Sequence, residues 1–178
     1  MQTEENRFAA ADRLKLDRPN IEKIESVREK IRNQPFESAF AWDVDGNLVA
    51  ARDGVEHKVV LKGREYKAAT GGVLLHSHPN HTPFSDDDLT IAKRFCIARM
   101  EVVSKKFHYL FEPPTGGWGR ISAPVWDAEL SKFAGECDTI ALDVKRERIA
   151  KGQALERLNA AALDFSISMK CHYSRIEE

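Results

Sequence analysis

Two histidines near the middle of the chain have the spacing of a metal-binding pair. His76 and His78 end the apolar run VLLHSHP, and Asp88 follows after one short loop. In a strand, side chains two residues apart point to the same side, roughly 7 Å apart along the chain, so both imidazoles can reach one ion. Two histidines and one carboxylate leave a position for water, which is the arrangement of a catalytic zinc site. Zinc lowers the pKa of that water toward neutrality, so the pattern predicts hydrolytic chemistry.

Each part of this pattern also has a simpler interpretation. A His-x-His pair on a strand can be two solvent-facing side chains. Ser85 and Asp88 match a helix capping box, with Ser85 as N-cap and Asp88 at position N3. The same three ligands also suit iron(II). These interpretations explain the parts separately, whereas a metal site explains why both histidines stand one loop before an acidic helix start.

The sequence before these residues predicts a helix followed by strands. Apolar residues at helical spacing predict a helix over residues 20–32, which Pro35 ends. Residues 36–49 alternate around an Asp-Gly turn, which predicts a β-hairpin. A second Asp-Gly turn leads to HKVVLKG, which predicts another short strand.

The remaining sequence predicts one strand before the acidic helix, two strands after it and then further helices. VLLHSHP predicts a central strand, Ser85 begins a helix, and MEVVS and FHYLFE predict two more strands. Pro124 opens a helical region that continues to the end of the chain, with a break near Gly152. This order predicts an α/β fold with a mixed central β-sheet flanked by helices and with extra C-terminal helices.

Composition restricts the class of protein. The chain has 178 residues, of which 42% are hydrophobic and 31% charged, as expected for one globular domain. A net charge of −1 and a pI of about 6.6 predict no nucleic-acid partner. The absence of a long apolar stretch predicts no membrane partner. Three scattered cysteines without a C-x-x-C pair, and a start without a signal-peptide pattern, predict a reducing, cytoplasmic compartment.

The string HSHP, a short loop and then S-x-x-D resembles the signature of JAMM (MPN-plus, JAB-type) zinc metalloproteases, most closely the phage and bacterial members. The loop between His78 and Ser85 is one residue shorter than in the usual family pattern. The resemblance implies one Zn²⁺ ion, with a bound water, on His76, His78 and Asp88. It also implies that Ser85 stabilises the oxyanion of the tetrahedral intermediate, a position that needs a hydrogen-bond donor.

The family also has a glutamate near the start of an early strand, which bonds the attacking water and moves its proton. Glu37 fits this role, because it begins ESAFAWDVDGN, a segment that resembles the corresponding strand of phage and bacterial members. Such a residue must lie beside the water without binding the metal. Glu56 and Glu65 are alternatives, but their charged surroundings indicate solvent-facing positions.

The resemblance extends over residues 36–118, including the stretch MEVVSKKFHYLFEPPTGGWG. It implies the layering of MPN and cytidine-deaminase-like folds. The chain then divides into an N-terminal arm and helix at 1–35, a JAMM-like catalytic core at 36–122 and a C-terminal helical segment at 123–178 packed on the core.

Family membership implies a metalloprotease or isopeptidase whose partner is a protein or peptide substrate, often with a ubiquitin-like tail, or a phage or bacterial protein. One alternative is a non-catalytic MPN-type binding or scaffold module. A less favoured alternative is a non-haem iron enzyme. The HExxH motif is absent, which excludes the thermolysin arrangement. The substrate and the oligomeric state stay open.

Overall fold

The computed structural model describes residues 18–56 and 58–178, so the predicted N-terminal arm lies mostly outside the described residues. Six strands and five α-helices make up this part of the chain. In chain order they are α1 (Arg18–Ile31), β1 (Ser38–Trp42), β2 (Leu48–Asp53), α2 (Gly63–Ala68), β3 (Val73–Ser77), α3 (Asp86–Arg94), β4 (Arg99–Val103), β5 (Phe107–Glu112), α4 (Ala123–Lys145), α5 (Lys151–Met169) and β6 (His172–Glu177). A short 3₁₀ turn, Trp118–Arg120, precedes α4.

The strands form one mixed sheet in the order β2-β1-β3-β4-β5-β6. Only β3 and β4 pair in parallel, and the other neighbours are antiparallel. Parallel neighbours need a crossover connection, and α3 supplies it between β3 and β4. The predicted α/β class with a mixed central sheet is therefore confirmed. The prediction of a central strand in VLLHSHP is confirmed as well, because every residue of β3 is buried.

Helices cover both faces of the sheet. On one face, α2 to α5 enclose the larger core, where the rings of Phe111, Trp118, Trp126, Phe133 and Phe165 pack together. On the other face, α1 covers a smaller core through Ile24 and Ile31. Within the described part of the chain, no helix has the length and apolar character that a bilayer span requires.

Two predictions from the sequence are wrong. The expected strand in HKVVLKG is absent, since the described residues of that segment make only an isolated bridge, Val55 to Lys58. The chain end is also not helical throughout, because Lys170 takes a left-handed conformation (φ 57°) that ends α5, and His172–Glu177 then pairs with β5. The break between the last two helices lies before Gly152, which belongs to α5. The second error arises because β5 offers His172–Glu177 a strand edge that lies far from this segment along the chain.

Candidate metal centre

His76 and His78 lie at the carboxyl end of β3, in the middle of the sheet. His76 pairs with Ala39 of β1 on one side and with Val102 of β4 on the other. The amide of His78 donates to Val103 O at 2.9 Å, which continues the pairing beyond the strand. Both imidazoles are buried, with 4% and 7% of their residue surfaces exposed. The strand therefore holds the two rings on one side, as the spacing predicts.

Asp88 joins them from the first turn of α3. Its Oδ1 lies 3.2 Å from His76 Nε2, and its Oδ2 lies 3.8 Å from His78 Nε2. One ligand atom from each residue lies within 4.8 Å of the others. Ligand atoms around a tetrahedral zinc ion are about 3.3 Å apart, given bonds of about 2.0–2.1 Å. The three residues thus form a group that could hold a metal ion after shifts of an ångström or less.

The hydrogen bonds of His78 leave one ring nitrogen for the site. Its Nδ1 lies 3.0 Å from Thr82 O and 3.2 Å from Thr82 Oγ1. Donation from Nδ1–H to the carbonyl leaves the lone pair on Nε2, which faces Asp88. A backbone carbonyl behind a histidine ligand sets the tautomer and ring orientation in metal sites.

His76 has a buried nitrogen that suits a cation. Its Nε2 lies 3.2 Å from Asp88 Oδ1, in poor hydrogen-bonding geometry. A metal ion between the two atoms would satisfy the lone pair of the nitrogen and the carboxylate together. The donor set therefore fits a metal ion.

The helix start holds the carboxylate of Asp88 in place. Asp88 Oδ2 accepts the Ser85 amide at 2.8 Å and the Ser85 hydroxyl at 2.7 Å, while Ser85 Oγ accepts the Asp88 amide at 3.1 Å. The predicted capping box is therefore present, and it coexists with the metal-binding group. Oδ2 is engaged by Ser85, so Oδ1 is the oxygen that points with His76 Nε2 into the site.

Burial and mutual charge shift the pKa values of the three residues. Burial, reinforced by neighbouring His76, lowers the pKa of His78 to about 4. Burial also opposes the charged form of His76, but the negative charges of Asp88 and Glu37 raise its pKa above the usual value. Burial would raise the pKa of Asp88, yet His76, His78 and the Ser85 amide hold it well below its usual range. At neutral pH, His78 is neutral and Asp88 is ionised, as metal ligands must be.

Glu37 lies immediately before β1 and lines a cavity that His76, His78 and Asp88 also line. Its Oε2 accepts the Val59 amide at 3.0 Å. Its backbone bonds the same neighbouring segment, since its amide donates to Val55 O at 3.0 Å and its carbonyl accepts the Gly54 amide at 2.8 Å. Glu37 is outside the group of three possible ligands but close enough to act on the pKa of His76.

The two alternative glutamates lie elsewhere. Glu65 pairs with Arg52 at 2.9 Å and caps the start of α2 through the amide of Lys62. Glu56 is exposed, and neither residue lines the cavity at the metal-binding group. Of the three glutamates considered from the sequence, only Glu37 lies at this site.

The cavity has a volume of about 600 Å³. Most of the residues that line it were not predicted from the sequence. They come from β1, from β3 and the loop after it, from α3 and from the segment before and within α2: Ala39, Leu74, Asn80, Thr82, Asp87, Ile91, Lys58, Val59, Val60 and Tyr66. The loop and helix residues could have been found from their closeness to the ligands in sequence. No sequence pattern marks Lys58 to Tyr66, because only the fold brings that segment to the site.

Comparisons of the chain with protein-family models, with curated proteins and with solved structures found no match. The resemblance to JAMM proteins therefore stays a prediction, and a functional proposal depends on the residues and the geometry.

Proposed function

We propose that this protein is a zinc-dependent hydrolase of the JAMM type that cleaves a peptide or isopeptide bond in a protein or peptide substrate. The observation that carries the proposal is the placement of Glu37 in the cavity of His76, His78 and Asp88, outside the ligand group. A zinc hydrolase of this type combines a three-residue metal site with a separate carboxylate that moves protons. On the resemblance to JAMM proteins, the proposal includes a substrate in which the cleaved bond lies next to a ubiquitin-like tail.

The ligand set by itself also suits iron(II), because two histidines and one carboxylate form the ligand triad of many non-haem iron enzymes. Oxygen chemistry at such a site does not require a proton-moving carboxylate. The position of Glu37 therefore favours hydrolysis and, with it, zinc.

His76 Nε2, His78 Nε2 and Asp88 Oδ1 would hold the ion. Zinc, when bound, lowers the pKa of a water ligand and polarises the carbonyl of the scissile bond. Glu37 accepts a proton from the attacking water and delivers it to the nitrogen of the leaving amine, which requires an ionised carboxylate at the start. The Val59 amide donates to Oε2 at 3.0 Å and so orients the carboxyl group.

Ser85 would donate a hydrogen bond to the oxyanion that forms on the substrate carbonyl. Its hydroxyl donates to Asp88 Oδ2 at 2.7 Å, so donation to substrate requires the hydroxyl to rotate away from Asp88. Oδ2 keeps the Ser85 amide as a donor at 2.8 Å during that exchange. Ser85→Ala should therefore lower hydrolysis more than it lowers metal affinity.

Metal analysis of protein purified without added metal is the first test. The proposal expects about one zinc per chain, and stoichiometric iron in its place would support the non-haem iron alternative. Triple replacement of His76, His78 and Asp88 by alanine should abolish the metal content.

Cleavage separates an enzyme from a scaffold module. Zinc-loaded protein is incubated with an internally quenched peptide library and with isopeptide-linked ubiquitin-like probes, and products are read by mass spectrometry. Glu37→Gln should retain zinc and lose cleavage, whereas Glu56→Gln, the matched control in the neighbouring exposed segment, should retain both. Equal cleavage by Glu37→Gln and wild type contradicts the proposed base, and zinc binding without cleavage of any probe favours a binding module.

A further inference from the structure

The loop that follows β3 is held by a chain of hydrogen bonds that begins at His78. The His81 amide donates to His78 O at 3.0 Å, and Thr82 O lies 3.0 Å from His78 Nδ1. Asn80 Oδ1 accepts from the Thr82 hydroxyl at 2.8 Å and from its amide at 3.2 Å. The carbonyl that orients the imidazole of His78 therefore belongs to a compact turn over residues 78–82.

His81 has a backbone conformation that needs outside support. Its φ is 69°, in the left-handed region that residues with a side chain seldom adopt. Such a conformation persists when the surrounding structure holds it, and these positions cluster at binding and catalytic sites. The next residue along the chain is Thr82, so the backbone at position 81 sets the direction of the Thr82 carbonyl.

The support comes from Tyr109 on β5, two strands away from β3 in the sheet. Its hydroxyl donates to His81 O at 2.9 Å, and the side chain is fully buried. Its ring packs between Phe107 at 5.8 Å and Tyr173 at 6.4 Å, measured between ring centroids. The positive charge of Arg175, its cross-strand partner on β6, also acts on the phenol. The hydroxyl is thus presented to the loop by a rigid part of the core.

We propose that Tyr109 is a positioning residue for the metal centre: its hydroxyl holds the His81 carbonyl, which keeps residue 81 left-handed and directs the Thr82 carbonyl onto His78 Nδ1. His78 then offers the lone pair of Nε2 to the ion in a fixed orientation. This inference rests on the proposed metal site. It adds a residue that is far from the ligands in sequence and does not touch the ion.

Outer partners of a metal-binding histidine are energetically important, because their removal commonly lowers metal affinity by about 10–100-fold. Tyr109 lies one hydrogen bond further from the ion than the direct partner of His78. Tyr109→Phe should therefore weaken zinc binding by about tenfold, the lower end of that range. A phenylalanine keeps the ring and its packing, and removes only the hydroxyl that reaches the loop.

Tyr173→Phe is the matched control. Tyr173 stacks on Tyr109, and its hydroxyl donates to Asn159 Oδ1 at 2.7 Å, away from the ligand loop. Both variants lose one hydroxyl group from the same aromatic stack. A purely structural role predicts similar effects of the two changes on zinc affinity, whereas the positioning role predicts an effect for Tyr109→Phe alone.

The experiment measures zinc affinity of the full chain by competition with a chromophoric chelator, and records the absorption spectrum of the Co²⁺-loaded protein. We expect an affinity about tenfold lower and an altered cobalt spectrum for Tyr109→Phe, with Tyr173→Phe within twofold of wild type. Equal zinc affinity of Tyr109→Phe and wild type refutes the inference and leaves the metal centre intact. A wild-type chain that binds no zinc refutes the metal centre, and the inference with it.

A rescue tests the backbone step. Glycine adopts positive φ without steric cost, so residue 81 no longer needs the hydroxyl to hold it. His81→Gly in the Tyr109→Phe background should therefore recover a large part of the lost zinc affinity. If the double variant binds zinc as weakly as Tyr109→Phe alone, Tyr109 does not act through the left-handed residue.

Discussion

A buried ion network on the other face of the sheet provides a stability test of the fold behind the metal strand. Glu101 of β4 is the cross-strand neighbour of Leu75 and has 2% of its side chain exposed. Its Oε2 accepts Arg28 Nε at 3.1 Å, Arg28 Nη2 at 2.8 Å and the ring nitrogen of His108 at 3.0 Å. These contacts attach α1 to the sheet at the level of the metal-binding strand.

Arg28→Met removes the guanidinium and keeps an apolar stem of similar reach. The variant leaves the Glu101 carboxylate buried with His108 as its remaining partner. Breaking a buried ion pair in this way costs about 3–5 kcal/mol, and the lower end applies because His108 still donates. For a chain of this size, about 3 kcal/mol lowers the melting temperature by roughly 6–12 °C.

The double variant Arg28→Met with Glu101→Gln tests whether the unpaired charge of Glu101 causes the loss of stability. If the cost of Arg28→Met is an unpaired buried charge, removing that charge should recover part of the loss, so the double variant should be more stable than the single one. Urea unfolding in the presence of a chelator, followed by the fluorescence of the buried tryptophans, measures the free energy of unfolding without a contribution from metal. A loss below about 1 kcal/mol, or a double variant no more stable than the single one, contradicts the reasoning.

The same network predicts a pH dependence. Burial opposes ionisation of Glu101, but His108 and Arg28 outweigh it and hold its pKa below the usual 4.5. A carboxyl group with a lowered folded-state pKa stabilises the fold at pH values above its unfolded pKa, and the stabilisation is lost as the pH falls through the folded-state value. The contribution of Glu101 to wild-type stability should therefore be complete above about pH 4.5 and decrease as the pH falls below that value, and the stability difference between wild type and Arg28→Met should shrink as Glu101 becomes protonated.

Three further predictions concern the metal centre. Zinc at about 100 times its dissociation constant should stabilise wild type by about 2.7 kcal/mol, or roughly 5–11 °C in a thermal shift. Asp88→Asn should lose this shift, whereas Asp87→Asn should keep it. Equal thermal shifts for Asp88→Asn and wild type would exclude Asp88 as a ligand. Gly54→Ala places a methyl group against the carbonyl oxygen of Lys58 and against Val59. Hydrogen exchange at the Val59 amide should therefore accelerate and cleavage should fall; unchanged exchange counts against this packing. Burial opposes the charged form of His76, but its carboxylate neighbours raise its pKa overall. Zinc affinity should therefore decline as the pH falls and His76 becomes protonated, and calorimetry should detect protons released on zinc binding. A zinc affinity that does not depend on pH contradicts the role of His76 as a ligand.

The sequence by itself predicted the parts of the site that lie close together along the chain. The two-residue period of a strand places His76 and His78 on one side of β3, and the capping box places Ser85 and Asp88 at the first turn of α3. Local rules of this kind need no knowledge of distant contacts. They were sufficient to predict three possible ligands that converge within 4.8 Å.

Only the tertiary structure shows how residues distant in sequence reach the site. Glu37 reaches the cavity because β1 pairs with β3, and the Val59 amide reaches Glu37 because the segment after β2 folds back over it. Tyr109 reaches the ligand loop across two neighbouring strands. Hydrophobic spacing predicts that a strand exists but does not state which strands become neighbours, because strand order and register depend on packing of the whole core.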